Sequence, residues 1–136
     1  MMVRIQKNTK IIHMDNTIRV MVVDDHPAIC QALSTLFGLQ SDIEVVGEAS
    51  DGEKAVRLAE ALLPDVILMD ISMPNMNGIE ATRIIHSEFP EIHIIGMSMY
   101  DDNVQVVEMI DAGASAFHSK GEDSALLLAL IRREVE

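Results

Sequence analysis

Four positions in this chain carry polar side chains at or close to the end of a short apolar run. The acidic pair Asp24-Asp25 follows the first run, and Asp70, Ser98 and Lys120 follow three later runs. Short apolar runs separated by helical patterns are typical of buried parallel strands, and ligands bind beyond the carboxyl ends of such strands. The pattern therefore predicts that three carboxylates, one hydroxyl and one ammonium group meet at one edge of a sheet.

Three clustered carboxylates repel one another, so the cluster favours a bound cation. All-oxygen ligands favour a hard divalent ion, and Mg²⁺ suits a site with few carboxylates and several waters. The sequence has no CxxC or HExxH pattern and its histidines are scattered, which argues against zinc. His26, at the start of the first helix, is expected to be solvated. Mg²⁺ beside a lysine and a hydroxyl is suited to a transferring phosphoryl group.

The acceptor of that phosphoryl group is predicted to be one of the carboxylates. The sequence has no GxxxxGK[ST] and no GxGxxG pattern, so no motif for holding a nucleotide is present. Aspartate is an established covalent nucleophile for phosphate, and Asp70, ending the central predicted strand, is the best candidate. A single aspartate after a strand is often only a cap or turn residue, but five polar groups at matching strand ends favour a site.

The elements that must position these residues alternate along the chain, which predicts a doubly wound α/β domain over residues 18–136. The predicted strands are Ile18–Val23, about Glu44–Ala49, Val66–Met69, Ile92–Met97 and Ala116–His118. The predicted helices are Pro27–Gly38, Gly52 to about Leu63, Ile79–Phe89, a fourth after Asp101-Asp102, and Ala125–Val135 with Ser124 as its cap. Residues 1–17 show no clear period and are expected to be a tail without regular structure.

The amino-acid composition of the chain argues against several classes of function and location. The chain has 136 residues and a net charge of -12, so this domain alone is a poor binder of DNA or RNA. Its one cysteine excludes an internal disulfide and fits a reducing compartment. No apolar stretch is long enough for a transmembrane helix, and the N-terminus lacks the apolar core of a secretory signal. We therefore expect a cytoplasmic protein without a membrane partner.

A family resemblance emerges at the same residues. The segments IRVMVVDDHP, VILMDISMPNMNGIEA, IIGMSMYDD and GASAFHSKGED resemble the CheY-like receiver domain of two-component response regulators, from about Ile18 to the last helix. The DDHP and MPxMNG motifs are most similar to those of the NarL/FixJ (LuxR-type) subgroup, whose members usually carry a C-terminal helix-turn-helix. The resemblance implies a flavodoxin-like (βα)5 three-layer sandwich with a parallel sheet in the order 2-1-3-4-5.

The resemblance also implies a role for each acidic residue. Asp70 would accept a phosphoryl group from a sensor histidine kinase. Asp25 and Asp70 would bind Mg²⁺ directly, while Asp24 would act through water. The backbone carbonyl of Ser72 would supply a further metal ligand.

Other residues would respond to phosphorylation of Asp70. The resemblance implies that Lys120 pairs with the phosphate, that Ser98 swings inward to hydrogen-bond it, and that Phe117 fills the space this vacates. Tyr100 is either a surface aromatic or a residue that tunes access to the site. Met99 stands where many members have a small residue, and we hypothesise that it hinders water and slows loss of the phosphoryl group. Gly121, directly after Lys120, stands where members of the family often have a proline with a cis peptide bond.

The last predicted helix is apolar on all sides from Ala125 to Ile131, although a helix on one face of a sheet needs a single apolar stripe. We therefore expect some of its leucines to be exposed in a monomer, and exposed apolar patches often mark interfaces. The helix would then contribute to a homodimer or dock an output domain. The alternative is burial beneath a neighbouring helix.

Three functions are compatible with this site. The favoured one is a phospho-accepting receiver that controls an output and binds DNA only through a C-terminal domain absent from this chain. The alternative is a stand-alone receiver that acts by protein–protein interaction or phosphorelay. An Mg²⁺-dependent phosphatase of the haloacid-dehalogenase kind would have a second aspartate at the position of Ser72. A pseudo-receiver would not need the complete set of site residues.

Overall fold

The computed structural model describes residues 4–7, 10–13, 17–99 and 103–135. In the described part, five parallel strands form one sheet with the order β2-β1-β3-β4-β5. This order is the one that the family resemblance implied. The strands are β1 (Ile18–Val23), β2 (Ile43–Ala49), β3 (Val66–Asp70), β4 (His93–Ser98) and β5 (Ala116–Ser119).

Helices connect successive strands and cover both faces of the sheet. They are α1 (Pro27–Gly38), α2 (Gly52–Leu62), α3 (Gly78–Glu88), α4 (Asn103–Ala112) and α5 (Ser124–Glu134). Pro27 occupies the first turn of α1, where its missing N–H costs nothing. The side chains of Asp51 and Asn77 accept hydrogen bonds from the backbone N–H groups of Lys54 and Glu80, which caps α2 and α3.

Two cores lie on opposite faces of the sheet because successive side chains of a strand alternate in direction. Met21 and Met69 belong to a core with buried residues of α2, α3 and α4. Val22 and Leu68, their neighbours in sequence, belong to a second core with buried residues of α1 and α5. The three-layer, flavodoxin-like architecture that the sequence predicted is thus confirmed. All five residues of β3 are buried, as expected for the central strand.

Several boundaries differ from the predicted ones. Asp70 and Ser98 are the last residues of β3 and β4 rather than the first residues after them, because the strand pairing continues through Asp70 with Met97 and Ser98 with Ser119. The prediction that Ser124 caps the last helix is wrong. The cap is Asp123, whose carboxylate accepts a hydrogen bond of 3.0 Å from the backbone N–H of Ala125.

The last helix buries one stripe and exposes another. Leu127 and Ile131 are buried in the core, while Leu126 is 44% exposed. Leu128 and Leu130 are partly buried and pack against the same core. The expectation that some leucines of this helix are exposed is therefore confirmed for Leu126.

The N-terminal segment contains more regular structure than predicted. The backbone of Arg4–Lys7 pairs antiparallel with Lys10–His13 in a two-stranded sheet separate from the main one. Two residues separate these strands in the sequence, so local pairing needs no strand from the rest of the chain. None of the helices in the described ranges is long and apolar enough to cross a lipid bilayer.

Candidate functional site

The carboxyl ends of the strands bring the predicted residues to one edge of the sheet. Asp24 follows β1, Asp70 ends β3, Ser98 ends β4, and Lys120 follows β5. Asp24, Asp70 and Ser98 are all buried, at 4%, 3% and 5% exposure. Asp24 donates its backbone N–H to the carbonyl of Ala49, and Lys120 donates its own to the carbonyl of Ser98. Backbone hydrogen bonds therefore fix both residues relative to neighbouring strands.

Lys120 joins the two buried carboxylates. Its Nζ lies 2.6 Å from Asp24 Oδ2 and 3.2 Å from Asp70 Oδ1, and its side chain is 4% exposed. Buried charges of one sign are costly unless a counter-charge compensates them. The ammonium group partly compensates the two carboxylates and leaves the cluster with net negative charge.

Burial and the neighbouring carboxylates both shift the pKa of Asp70. Burial, and then the charge of Asp24, raise the pKa of Asp70 to about 6, although Lys120 opposes both effects. A raised pKa is expected where carboxylates crowd together in a dry site. Asp70 is nevertheless mostly ionised at neutral pH, which a carboxylate nucleophile requires.

Two carboxylate oxygens in the cluster accept no hydrogen bond from the described residues. They are Asp25 Oδ1 and Asp70 Oδ2, and both are buried. The oxygens of Asp24, by contrast, are engaged: Lys120 contacts Oδ2, and the backbone N–H and Nδ1 of His26 both contact Oδ1 at 2.9 Å. Buried polar atoms without partners are uncommon, so these two oxygens are suited to a ligand.

The residues present fit a hard divalent cation. Ligand atoms of Asp24, Asp25, His26 and Asp70 all lie within 4.8 Å of one another. Ser72 lies on the exposed loop after β3, and it lines one pocket together with Asp25. The two oxygens without hydrogen bonds belong to the two aspartates that the resemblance assigns as direct ligands. The assignment of the metal ligands stays a prediction.

The loop after Asp70 is anchored at two points. A Cβ on Gly78 would collide with the backbone carbonyl oxygen of Asp70, so the start of α3 can approach β3 only with glycine there. On the other side, Gly52 donates its backbone N–H to the carbonyl of Met76 at 2.9 Å. Asn75 adopts a left-handed backbone conformation and donates to Asp51 Oδ2 at 3.4 Å. These contacts hold the loop that carries Ser72.

His26 is exposed to solvent, as predicted, but it also contacts the acidic pair, which was not predicted. Although its side chain is 57% exposed, Nδ1 lies 2.9 Å from Asp24 Oδ1 and 3.1 Å from Asp25 Oδ1. The hydrogen bond to Asp24, with the charges of Asp25 and Asp24, raises the pKa of His26. The sequence offered one indication of these contacts, which is that His26 directly follows the acidic pair.

The other described residues that the sequence singled out lie in β5 or just after β4 and β5. Phe117 is partly buried beside Gly96, where an added Cβ would lie 3.2 Å from the phenyl ring. Met99 follows Ser98 and is 59% exposed. Gly121 follows Lys120 through a trans peptide bond. Tyr100, which the sequence made a candidate switch residue, falls outside the described residues, as do Asp101 and Asp102.

Comparison with known proteins identifies the fold and family. The family model for the response regulator receiver domain matches residues 20–132. The transcriptional regulatory protein LiaR of Bacillus subtilis is 44% identical over 115 residues, covering 85% of this chain and 54% of the relative. The chain spans about half the length of the curated relatives it matches.

Two solved structures support the same assignment. A LuxR-family two-component response regulator from Aurantimonas sp. SI85-9A1 superposes with a TM-score of 0.83 and 34% identity, covering 88% of this chain and 85% of that chain. The response regulator domain of Thermotoga maritima CheB gives a TM-score of 0.80 and 37% identity, covering 88% and 96%. With its site residues at the carboxyl edge of the sheet, this chain belongs to the response regulator receiver domain family and resembles its NarL/LuxR subgroup.

Proposed function

We propose that this chain takes a phosphoryl group from a sensor histidine kinase onto Asp70 in a Mg²⁺-dependent reaction and acts as a signalling switch. The observation that carries the proposal is the environment of Asp70. One of its carboxylate oxygens lies 3.2 Å from the Lys120 ammonium, and the other is buried and accepts no hydrogen bond from the described residues. The ammonium group thus partly neutralises the carboxylate, and no hydrogen bond from the described residues blocks its second oxygen.

The transfer exchanges one phosphorus bond for another. A carboxylate oxygen of Asp70 attacks phosphorus, an acyl phosphate forms, and the bond from phosphorus to the donor histidine nitrogen breaks. Lys120 neutralises charge on the phosphoryl oxygens, and it can turn from Asp24 Oδ2 towards them because it contacts both carboxylates in the resting site. A bound Mg²⁺ would neutralise further charge on the same oxygens.

Phosphorylation would change the conformation because it adds charge and three acceptor oxygens to a buried site. Ser98 ends the neighbouring strand β4, so its hydroxyl is well placed to move towards the phosphate. Phe117 is partly buried on β5, next in the sheet, and it would occupy the space left by this movement. Ser98 and Phe117 are the proposed switch residues.

The switch would control transcription through a C-terminal DNA-binding domain outside this chain. The likeness to longer transcriptional regulators, of which the matched region covers 50% and 54%, supports this output. We propose a cytoplasmic protein that is not a metabolic enzyme, although it would catalyse its own phosphorylation and dephosphorylation.

A homodimer through Ala125 to Ile131 of α5 is proposed from the exposed Leu126. The alternative is a stand-alone receiver that acts by protein–protein interaction or phosphorelay.

The decisive experiment compares the chain with Asp70→Asn. Both proteins are incubated with Mg²⁺ and a small acyl-phosphate donor, and intact mass is measured over time. A single phosphoryl adduct on the unmodified chain, absent from Asp70→Asn, supports the proposal. Steady turnover of a phosphate ester would instead indicate a phosphatase, and no adduct at all would indicate a pseudo-receiver.

A further inference from the structure

We propose that Nδ1 of His26 is a nitrogen ligand of the metal site. The site would then prefer first-row transition-metal ions over Mg²⁺ more strongly than its carboxylates alone would. This inference rests on the proposed function, because it uses the metal site assigned to Asp25 and Asp70. It adds a residue to that site and names a second class of ion.

The spacing of the donor atoms carries the inference. His26 Nδ1 lies 3.1 Å from Asp25 Oδ1 and 2.9 Å from Asp24 Oδ1. In an octahedral complex with bonds of about 2.1 Å, neighbouring ligand atoms lie roughly 3 Å apart. The imidazole nitrogen and the Asp25 oxygen can therefore bind one ion at adjacent positions.

The contact between His26 and Asp25 is not a hydrogen bond. Asp25 Oδ1 is buried, and it accepts none from the described residues even though Nδ1 is 3.1 Å away. Nδ1 instead forms its hydrogen bond with Asp24 Oδ1. A neutral imidazole with its proton on Nε2 would exchange that hydrogen bond for a bond from the Nδ1 lone pair to the ion.

A second observation points to a ligand in the same place. Asp70 is 3% exposed, and its Oδ2 accepts no hydrogen bond from the described part of the chain. Ligand atoms of Asp70, Asp25 and His26 lie within 4.8 Å of one another. The buried oxygen without a partner and the half-exposed imidazole are thus close enough to reach a single ion.

The chemistry of the donors sets the preference. Mg²⁺ favours oxygen ligands and gains little from imidazole. First-row ions later than Mn²⁺ bind mixed nitrogen and oxygen sites increasingly well, and imidazole is among their preferred ligands. Co²⁺ is a suitable probe because it accepts octahedral geometry and is paramagnetic.

The first test compares affinities by isothermal titration. Mg²⁺ and Co²⁺ are titrated separately into the unmodified chain, His26→Gln and His93→Gln at one fixed pH. His93 is the matched control because it begins β4, at the opposite end of the strand from the site, where it pairs with Glu134. We expect the ratio of Co²⁺ to Mg²⁺ affinity to fall about tenfold in His26→Gln and to be unchanged in His93→Gln.

The second test needs no variant. In the proton NMR spectrum of the Co²⁺-loaded chain, a metal-bound imidazole gives a strongly shifted N–H signal that disappears in D₂O. Its presence supports the inference; its absence, or an unchanged affinity ratio in His26→Gln, overturns it. If Asp70 is phosphorylated in the presence of Mg²⁺ but the shifted signal is absent, only this inference is refuted. If the chain binds neither Mg²⁺ nor Co²⁺, the metal site of the proposed function is refuted as well.

Discussion

Lys120 lies between two buried carboxylates and is the residue on which the electrostatics of the site depend. Its contacts of 2.6 Å with Asp24 and 3.2 Å with Asp70 occur at 4% side-chain exposure. Interactions between charges are stronger at such a site than at the surface because little water screens them. One ammonium nevertheless faces more than one carboxylate, so ionised Asp70 is held at an energetic cost.

Asp70→Asn is therefore expected to raise the free energy of unfolding at pH 7 without metal. Burial and the charge of Asp24 raise the pKa of Asp70 to about 6, so the folded chain holds this proton more tightly than the unfolded chain. The contribution of Asp70 to stability is then present at low pH and is lost as the pH rises from about 4 to above 6. The gain in Asp70→Asn should reach about 3 kcal/mol at most.

Urea unfolding at a series of pH values measures this gain, with Asp111→Asn on the exposed surface of α4 as the control. The difference between Asp70→Asn and the unmodified chain should grow from pH 4 to pH 7. A difference that shrinks over this range, or a less stable variant at pH 7, would contradict the electrostatic account.

Met99→Ala is expected to speed the loss of the phosphoryl group. Met99 directly follows Ser98 and is 59% exposed, so a smaller side chain would admit water to the edge of the site. The rate is measured by following the phosphorylated mass after the donor is removed. Leu39→Ala is a control, because Leu39 is equally apolar and 79% exposed but lies after α1. An unchanged rate in Met99→Ala would refute the hypothesis.

The types of the site residues could be predicted from the sequence, but several of their contacts could not. Strand-end positions identify Asp24, Asp70 and Lys120, because parallel strands present their carboxyl ends at one edge. Which carboxylate the lysine approaches depends on side-chain rotamers and on distances across the four strands from β1 to β5. The same limit applies to His26, whose contact with two carboxylates depends on its rotamer at the start of α1.

At the scale of elements, the loop after β3 shows how backbone contacts position the site. Gly78 lets the start of α3 approach the carbonyl of Asp70, and Gly52 binds the carbonyl of Met76 from the start of α2. The loop is therefore held between two helix N-termini. On this loop, Ser72 lines the same pocket as Asp25.

Asp123→Ala is expected to destabilise the fold by about 1 kcal/mol, whereas Ser124→Ala should change stability little. The carboxylate of Asp123 accepts a hydrogen bond from the N–H of Ala125, and Ser124 already lies inside α5. The two adjacent variants form a matched pair that chemical denaturation can compare. A larger loss in Ser124→Ala than in Asp123→Ala would contradict the cap that the structure assigns.

The helices and strands were predictable because their apolar patterns are strong, but their ends were not. Both Asp123 and Ser124 are good cap residues, so the sequence did not distinguish them. Asp70 and Ser98 were predicted to follow their strands, yet pairing with neighbours extends the strands through them. Strand ends depend on partner strands, which a local pattern does not contain.

At the scale of the whole molecule, five strands and two helix layers place all the charge of the site at one end of the sheet. The net charge of -12 adds a general attraction for cations to this local one. The fold itself was predictable because the alternation of elements and the family motifs agree. The hairpin formed by Arg4–Lys7 and Lys10–His13 was not, because its short strands carry no clear period.

Mg²⁺ is expected to stabilise the whole domain. A ligand that binds only the folded state raises the free energy of unfolding, by about 2.7 kcal/mol when its concentration is about a hundred times Kd. Thermal unfolding should therefore shift upward with added Mg²⁺, and Asp25→Asn should abolish the shift because Asp25 Oδ1 is one of the two oxygens without a hydrogen bond. An equal shift in Asp25→Asn would indicate binding elsewhere.

The most direct test of the central claim is to locate the phosphoryl group. The chain is phosphorylated with a small acyl-phosphate donor and Mg²⁺, reduced with borohydride to convert any acyl phosphate into an alcohol, digested, and sequenced by mass spectrometry. Reduction at position 70 alone is the predicted result, because Asp70 combines a lysine-paired oxygen with a second oxygen that accepts no hydrogen bond from the described residues. Reduction at Asp24 or Asp25 instead, or at no residue, would contradict the account.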